Sequence, residues 1–203
     1  VYNSVTPTPG STAPFDFVMN NTASTSGTPS VFGHVYLEAS VPASPNGGFF
    51  LGADGGYAVA PISQAITALA PNTTYQLSFE WAASQLTICN GVGTPCSGNT
   101  VDNWQATIDG QTFDTTPYHL TFGTFSGWMS YMATFTTGST INKDALSFLA
   151  QGTPIGQPRF MLLDRVSLTG VTHDILRSRA GFSGTVGGRF SQHNWRGQAA
   201  QKS

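Results

Sequence analysis

In the stretch PRFMLLDRVSLTG, residues 158–170, a strand's two-residue period puts Phe160, Leu162, Val166 and Leu168 on one face, and Asp164 on that same face. A carboxylate among apolar side chains must be paired or bound, because leaving it bare there is costly. A β-bulge at Leu163–Arg165 would turn it outward, and backbone N–H groups would satisfy it in place. The remaining carboxylates offer little for catalysis. The chain has two glutamates, Glu38 and Glu80, far apart in sequence. Joined by Asp102 or Asp109 they would make a glycosidase couple, but no local spacing fixes their separation. There is no Gly-x-Ser-x-Gly elbow, since GTFSGW has a different spacing. His34, His119, His173 and His193 lack metal-ligand spacing and read as surface or loop residues. The expectation is a non-enzymatic chain.

Two cysteines, Cys89 and Cys96, bracket CNGVGTPC. The short spacing with Gly and Pro between suits a small disulfide-closed loop, the alternative being two free thiols. A disulfide implies an oxidising compartment. A single pair of cysteines without nearby histidines does not make a zinc site.

These residues need a scaffold, and composition limits its kind. The 203 residues suit one domain plus an appendage. Charged residues make up 9% of the chain, against a usual level of about 25%, while aromatics reach 12%. That profile fits a β-rich extracellular protein with a hydroxyl- and amide-rich surface, not a disordered chain. Residues 1–142 contain no Lys or Arg. Residues 1–172 carry a net charge of −6 and residues 173–203 a net charge of +4. The body therefore has nothing to neutralise phosphates, which excludes nucleic acid as its partner. The tail suits weak contact with an acidic surface, including the body of a neighbouring copy. No apolar run of membrane-spanning length is present. If the chain is secreted, Val1 is a mature N-terminus left by cleavage.

Strand signals dominate. PFDFVM and VFGHVYLEA read as short strands, and PASPNGGFFLGADGGY as a Gly-rich loop joining strands. ISQAITALA suits a strand as well as a helix. With TYQLSFEWAAS it flanks the turn APNTT, which predicts two antiparallel strands. Tyr75, Leu77, Phe79 and Trp81 alternate with Gln76, Ser78 and Glu80, a half-buried strand with Glu80 on its polar face. Trp104, Ala106 and Ile108 point one way before Asp109-Gly110 turns the chain; Met129, Tyr131, Ala133 and Phe135 share a face. With DALSFLAQG and RFMLLDRVSLTG, many short strands indicate an all-β antiparallel β-sandwich, most simply a jelly roll. The chain divides into an extended segment at 1–13, the sandwich domain at 14–170, and a basic Gly-rich segment at 171–203. Within the last, GFSGTVGGRFS suits a strand laid along a sheet edge, its own or a neighbour's.

DGGYAVAPISQAITALAPNTTYQLSFEWAASQ, NWQATIDGQTF, FSGWMSYMATFTTGS, LSFLAQGTP and FMLLDRVSLTG follow one another in an order that resembles secreted bacterial proteins of the PEP-CTERM type. Those have a jelly roll similar to galactose-binding-like domains and carbohydrate-binding modules. The resemblance covers residues 45–170 and departs at the end, where the family's Pro-Glu-Pro signal, apolar helix and basic cluster are not present. It implies export and a jelly roll. It also implies a structural calcium near the last strand, with Asp164, Asp16, Glu38 and backbone carbonyls of the Gly-rich loop among its six to eight oxygen ligands. Glu80, Gln85, Gln105 and Trp128 are the candidates for a sugar-binding sheet face, ring stacking on ring while amides and carboxylates bond hydroxyls; the alternative is a polar face plus a core Trp.

Two functions fit. The first is a structural subunit of an extracellular filament, sheath or matrix layer, self-associating when terminal segments pair with a neighbour's sheet edge. The alternative is a monomeric carbohydrate-binding module that retains exopolysaccharide near the cell.

Overall fold

The computed structural model describes residues 3–4, 16–20, 37, 41–47, 49–56, 60–66, 69–86, 97–141, 145–154 and 159–171. Alternation of large apolar and small polar residues makes strands of most of them. In chain order these are β1 (Asn3–Ser4), β2 (Asp16–Asn20), β3 (Phe49–Asp54), β4 (Ile62–Ala65), β5 (Thr74–Gln85), β6 (Thr100–Ile108), β7 (Gln111–Asp114), β8 (Tyr118–Leu120), β9 (Met129–Thr136), β10 (Ala145–Thr153) and β11 (Arg159–Gly170). Every pairing is antiparallel. One sheet has six strands in the order β1-β2-β3-β11-β5-β9; the other runs β4-β10-β6-β7, with β8 also on β6. The two form a β-sandwich, as the strand pattern predicts.

The main core lies between the sheets. From the first sheet come Tyr75, Leu77, Phe79, Trp81, Phe135, Met161, Leu163 and Val166; from the second come Trp104, Ala106, Ile108, Leu120, Leu146 and Phe148. Each such large side chain contributes about 1.5–3 kcal/mol when fully buried. Rings form a continuous line through it. Tyr131 meets Phe79 at 4.9 Å, Phe79 meets Phe148 edge-on at 5.1 Å, and Phe148 meets Trp104 at 6.2 Å. The Trp104 indole N–H donates across the sandwich to the Leu162 carbonyl at 3.0 Å, which satisfies its one polar atom. A second apolar cluster (Leu37, Val41, Phe50, Ala82, Phe160 and Leu162) sits on the other face of the six-stranded sheet.

Three expectations are corrected. β4 and β5 do not form a hairpin: β4 pairs with β10 and β5 with β11 and β9, so the APNTT turn carries the chain from one sheet to the other. The Gly-rich stretch after Pro42 contains β3, whose backbone pairs with β2 and β11. And β11 does not keep one face along its length. Asp164 opposes Glu80 and Ser167 opposes Ser78, so two residues, Arg165 and Val166, stand against Phe79 alone. Arg165 takes a positive φ of 51° to make this bulge. Met161 and Leu163 face the main core before it, Val166 and Leu168 after it. Phe160, Leu162 and Asp164 therefore face away from Val166 and Leu168, not with them.

Candidate functional site

At one edge of the sandwich the rim strand of the first sheet, β9, approaches the loop and short strand that follow β7 in the second. Between them lies a groove of about 280 Å³ lined by Trp81, Thr115, Thr116, Pro117, Tyr118, Met129, Ser130 and Tyr131. Each wall is built by ordinary strand chemistry. Pairing of Trp81 with Met129 and of Phe79 with Tyr131 fixes the β9 side. Trp81 is almost wholly buried and makes the floor. On the other side Thr115 exchanges two bonds with Trp104: its N–H donates to the Trp104 carbonyl at 2.9 Å, and its hydroxyl accepts the Trp104 N–H at 2.9 Å. That anchor, with Pro117 stiffening the next turn, sets Tyr118 opposite Tyr131.

Two carboxylates lie on the outer faces of the strands near the groove, outside its lining. Ser130, exposed on β9, donates its hydroxyl to both oxygens of Glu80 at 3.0 Å each. Asp114 accepts the Gln105 side-chain N–H at 3.0 Å. Burial raises the Tyr131 phenol above its usual pKa, and the negative field of Asp114 adds to the rise. Tyr131 thus stays a neutral phenol, a donor as well as an acceptor.

The residues expected to bind sugar do not share one surface. Glu80 lies on the outer face of the six-stranded sheet, where the Ser130 hydroxyl is its partner. Gln105 lies on the outer face of the other sheet, where it bonds Asp114. Gln85 is fully buried. Its amide donates to the Gly98 carbonyl at 3.0 Å and the Thr100 hydroxyl at 3.3 Å, and accepts the Gly123 N–H at 3.0 Å, so it staples loops. Trp128 packs in the second apolar cluster, edge-on to Phe50 at 5.3 Å. A polar depression of about 150 Å³, lined by residues including Asn99, Thr100, His119 and Thr153, lies elsewhere and offers no Trp, Tyr or Phe.

Asp164 is satisfied locally. It accepts a hydrogen bond from the Ser44 hydroxyl, and from the Arg165 N–H at 2.7 Å. Asp16 aligns through Ala53 with Met161, three residues along β11 and two strands across from Asp164, roughly 14 Å away by strand geometry. Glu38, Cys89 and Cys96 lie outside the described residues, and among those described no three His, Cys, Asp or Glu side chains group as metal ligands. The carboxylates considered for acid–base work are also dispersed. Asp102 is buried between the sheets, and Asp109 sits in the β6–β7 turn holding the Gly138 N–H at 3.3 Å, while Glu80 faces outward.

No known protein family and no curated protein matches this chain. Solved structures that are similar include a family 16 carbohydrate-binding module, at 21% identity over 62% of this chain and 79% of that one, with a TM-score of 0.36. Another is the CBM22-1 xylan-binding domain of Paenibacillus barcinonensis Xyn10C, at 15% identity over 68% of this chain and 80% of that one, TM-score 0.35. A third is a cyclase from Fischerella sp. TAU bound to 4-(1H-indol-3-yl)butan-2-one, at 16% identity over 83% and 84% of the two chains, TM-score 0.48.

Proposed function

We propose that the protein is a carbohydrate-binding module that acts outside the cell and seats a glycan in the edge groove. The observation that carries this reading is the groove's lining: Tyr118, Tyr131 and Met129 over a Trp81 floor, with Thr115, Thr116 and Ser130 among them. A pyranose offers apolar C–H faces and a rim of hydroxyls. Aromatic walls suit the first, and the phenol hydroxyls of the two tyrosines the second. The assembly reading is the weaker one, because Asn3–Ser4 pair with Val18–Phe17 of the chain's own β2 instead of being left for a neighbour.

The test is affinity electrophoresis in gels cast with soluble polysaccharides, followed by calorimetry on whichever glycan retards the protein. Tyr118→Ala and Tyr131→Ala should each weaken binding by about tenfold, the usual scale for removing one buried aromatic contact. Trp128→Ala should lower stability and leave affinity unchanged, since that ring belongs to another cluster. Retardation undiminished in both tyrosine variants would place the glycan elsewhere.

A further inference from the structure

We infer that the free edge of β9 is the seat of residues 181–191 of the same chain, GFSGTVGGRFS, which add a further strand to the six-stranded sheet. β9 ends that sheet, and no strand of the described residues lies beyond it. The Thr137 N–H donates to the Thr73 carbonyl at 3.0 Å, so in the antiparallel ladder the backbone groups of Phe135, Ala133, Tyr131 and Met129 also point toward β5. Those of Ser130, Met132, Thr134 and Thr136 point the other way, along the edge. The Gln111 side-chain amide takes up the Thr136 carbonyl at 3.0 Å and marks one end of the stretch. The edge sequence MSYMATFT holds no charge and no proline, the usual devices that keep an edge from pairing. Met132 is 64% exposed upon it. An edge of this kind is a template for another strand.

The occupant follows from where the described chain stops, from the length beyond it and from its pattern. β11 and β9 run in the same direction, since each is antiparallel to β5. The Val171 N–H donates to the Thr74 carbonyl at 2.8 Å, and Thr74 pairs with Thr136, so the chain leaves β11 level with the end of β9. A strand beyond β9 lies three inter-strand steps away, about 14 Å. Residues 172–180 reach about 30 Å when extended, enough to cross that distance and turn back antiparallel to β9. Residues 181–191 then cover the whole of Met129–Thr136. Their alternation matches it. Phe182, Gly184, Val186, Gly188 and Phe190 fall on one face, and Ser183, Thr185, Gly187, Arg189 and Ser191 on the other. β9 likewise turns Tyr131, Ala133 and Phe135 inward and Ser130, Thr134 and Thr136 outward. With like faces aligned, the N–H groups of Ser183, Thr185, Gly187 and Arg189 meet the outward backbone groups of β9. A strand added in the plane of this sheet extends the β9 wall of the groove without crossing it. The short tether gives the segment a high effective concentration at its own edge, ahead of a neighbour's copy.

The experiment is amide hydrogen exchange, read residue by residue by NMR on the full chain and on a Thr185→Pro/Gly187→Pro variant, which removes two of the donors aimed at β9. In the parent the Met132 and Thr134 amides should exchange slowly despite their place on an edge strand. In the variant they should exchange at least about tenfold faster, while the amides of β6 and β10 keep their protection and show that the sandwich is folded. The parent's protection should be unchanged on about tenfold dilution, with a monomer mass in light scattering, because the pairing is intramolecular. Fast exchange of Met132 and Thr134 in the parent overturns the proposal, since the edge is then unpaired. Slow exchange that survives the two prolines overturns it as well and assigns the edge to a different strand. Protection lost on dilution, with a dimer mass at high concentration, overturns pairing within one chain in favour of a second copy.

Discussion

Asp102 is the residue with the largest electrostatic consequence. It is fully buried, its Oδ2 accepts the Thr100 hydroxyl at 2.6 Å, and its Oδ1 has no partner among the described residues. Burial pushes its carboxyl from 3.8 up to about 6, against the Thr100 hydrogen bond and the positive field of Arg159. Burial likewise lowers Arg159, against the fields of Asp102 and Asp54. The folded state thus holds the Asp102 proton more tightly than the unfolded chain does. The favourable contribution is complete below about pH 4 and is lost as pH rises through about 6, a swing of about 3 kcal/mol. Thermal melts should therefore show a component of stability that falls between pH 4 and pH 7, at about 2–4 °C per kcal/mol for a chain of this size. Asp102→Asn should flatten that component; an unchanged profile would mean another group produces it. Beside this pair Gly152 admits no side chain. A Cβ there would lie 2.2 Å from the Val101 carbonyl oxygen and 2.8 Å from Arg159 Nη1. Gly152→Ala should cost about 1–3 kcal/mol or more in a denaturant titration, because the nearer obstacle is strand backbone.

At the scale of the element, the β11 bulge does the most. It changes which face of the strand is apolar, so Asp164 stays outside while Val166 and Leu168 enter the core. Deleting Arg165 would remove the extra residue and leave Met161, Leu163, Val166 and Leu168 alternating onto the core from a regular strand. That deletion should keep cooperative unfolding in a denaturant titration; loss of cooperativity would show that the core needs the bulge itself. Arg165→Gly should be tolerated within about 1 kcal/mol, because glycine accepts the positive φ without the Cβ penalty. The two results together separate the role of the extra residue from that of its arginine side chain. The β6–β7 hairpin shows the same logic with visible turn residues: Asp109 at φ 49° and Gly110 at φ 74° supply the two left-handed positions that a tight hairpin requires.

For the whole molecule, the groove exists because two sheet edges meet. A ligand seated there contacts both sheets and binds only the folded state. At a hundredfold excess over its Kd it should stabilise the chain by about 2.7 kcal/mol, raising Tm by about 5–10 °C. Differential scanning fluorimetry with the glycan found by affinity electrophoresis would show this shift, and Tyr118→Ala should abolish most of it. A Tm unmoved by saturating glycan would mean that binding is not confined to the folded groove.

Alternation along β5, β6 and β9 was legible in the sequence, and with it the all-β class, the antiparallel sandwich and the shared faces of Trp104, Ala106 and Ile108 and of Tyr75, Leu77, Phe79 and Trp81. A period of two is local, so one chain displays it without reference to partners. The polar face of Glu80 and the Asp109-Gly110 turn were legible for the same reason. Tertiary structure alone decided which strands pair, that β4 and β5 lie in different sheets, and that Arg165 breaks the alternation of β11. It also decided the site. Tyr118 follows an unremarkable DTTP, and nothing local announces that it faces Tyr131 from the opposite sheet. Gln85 and Trp128, whose types suit sugar, are drawn inward by loops far away in sequence. Long-range pairing fixes these positions, and its partners lie tens of residues apart, beyond the reach of any local period.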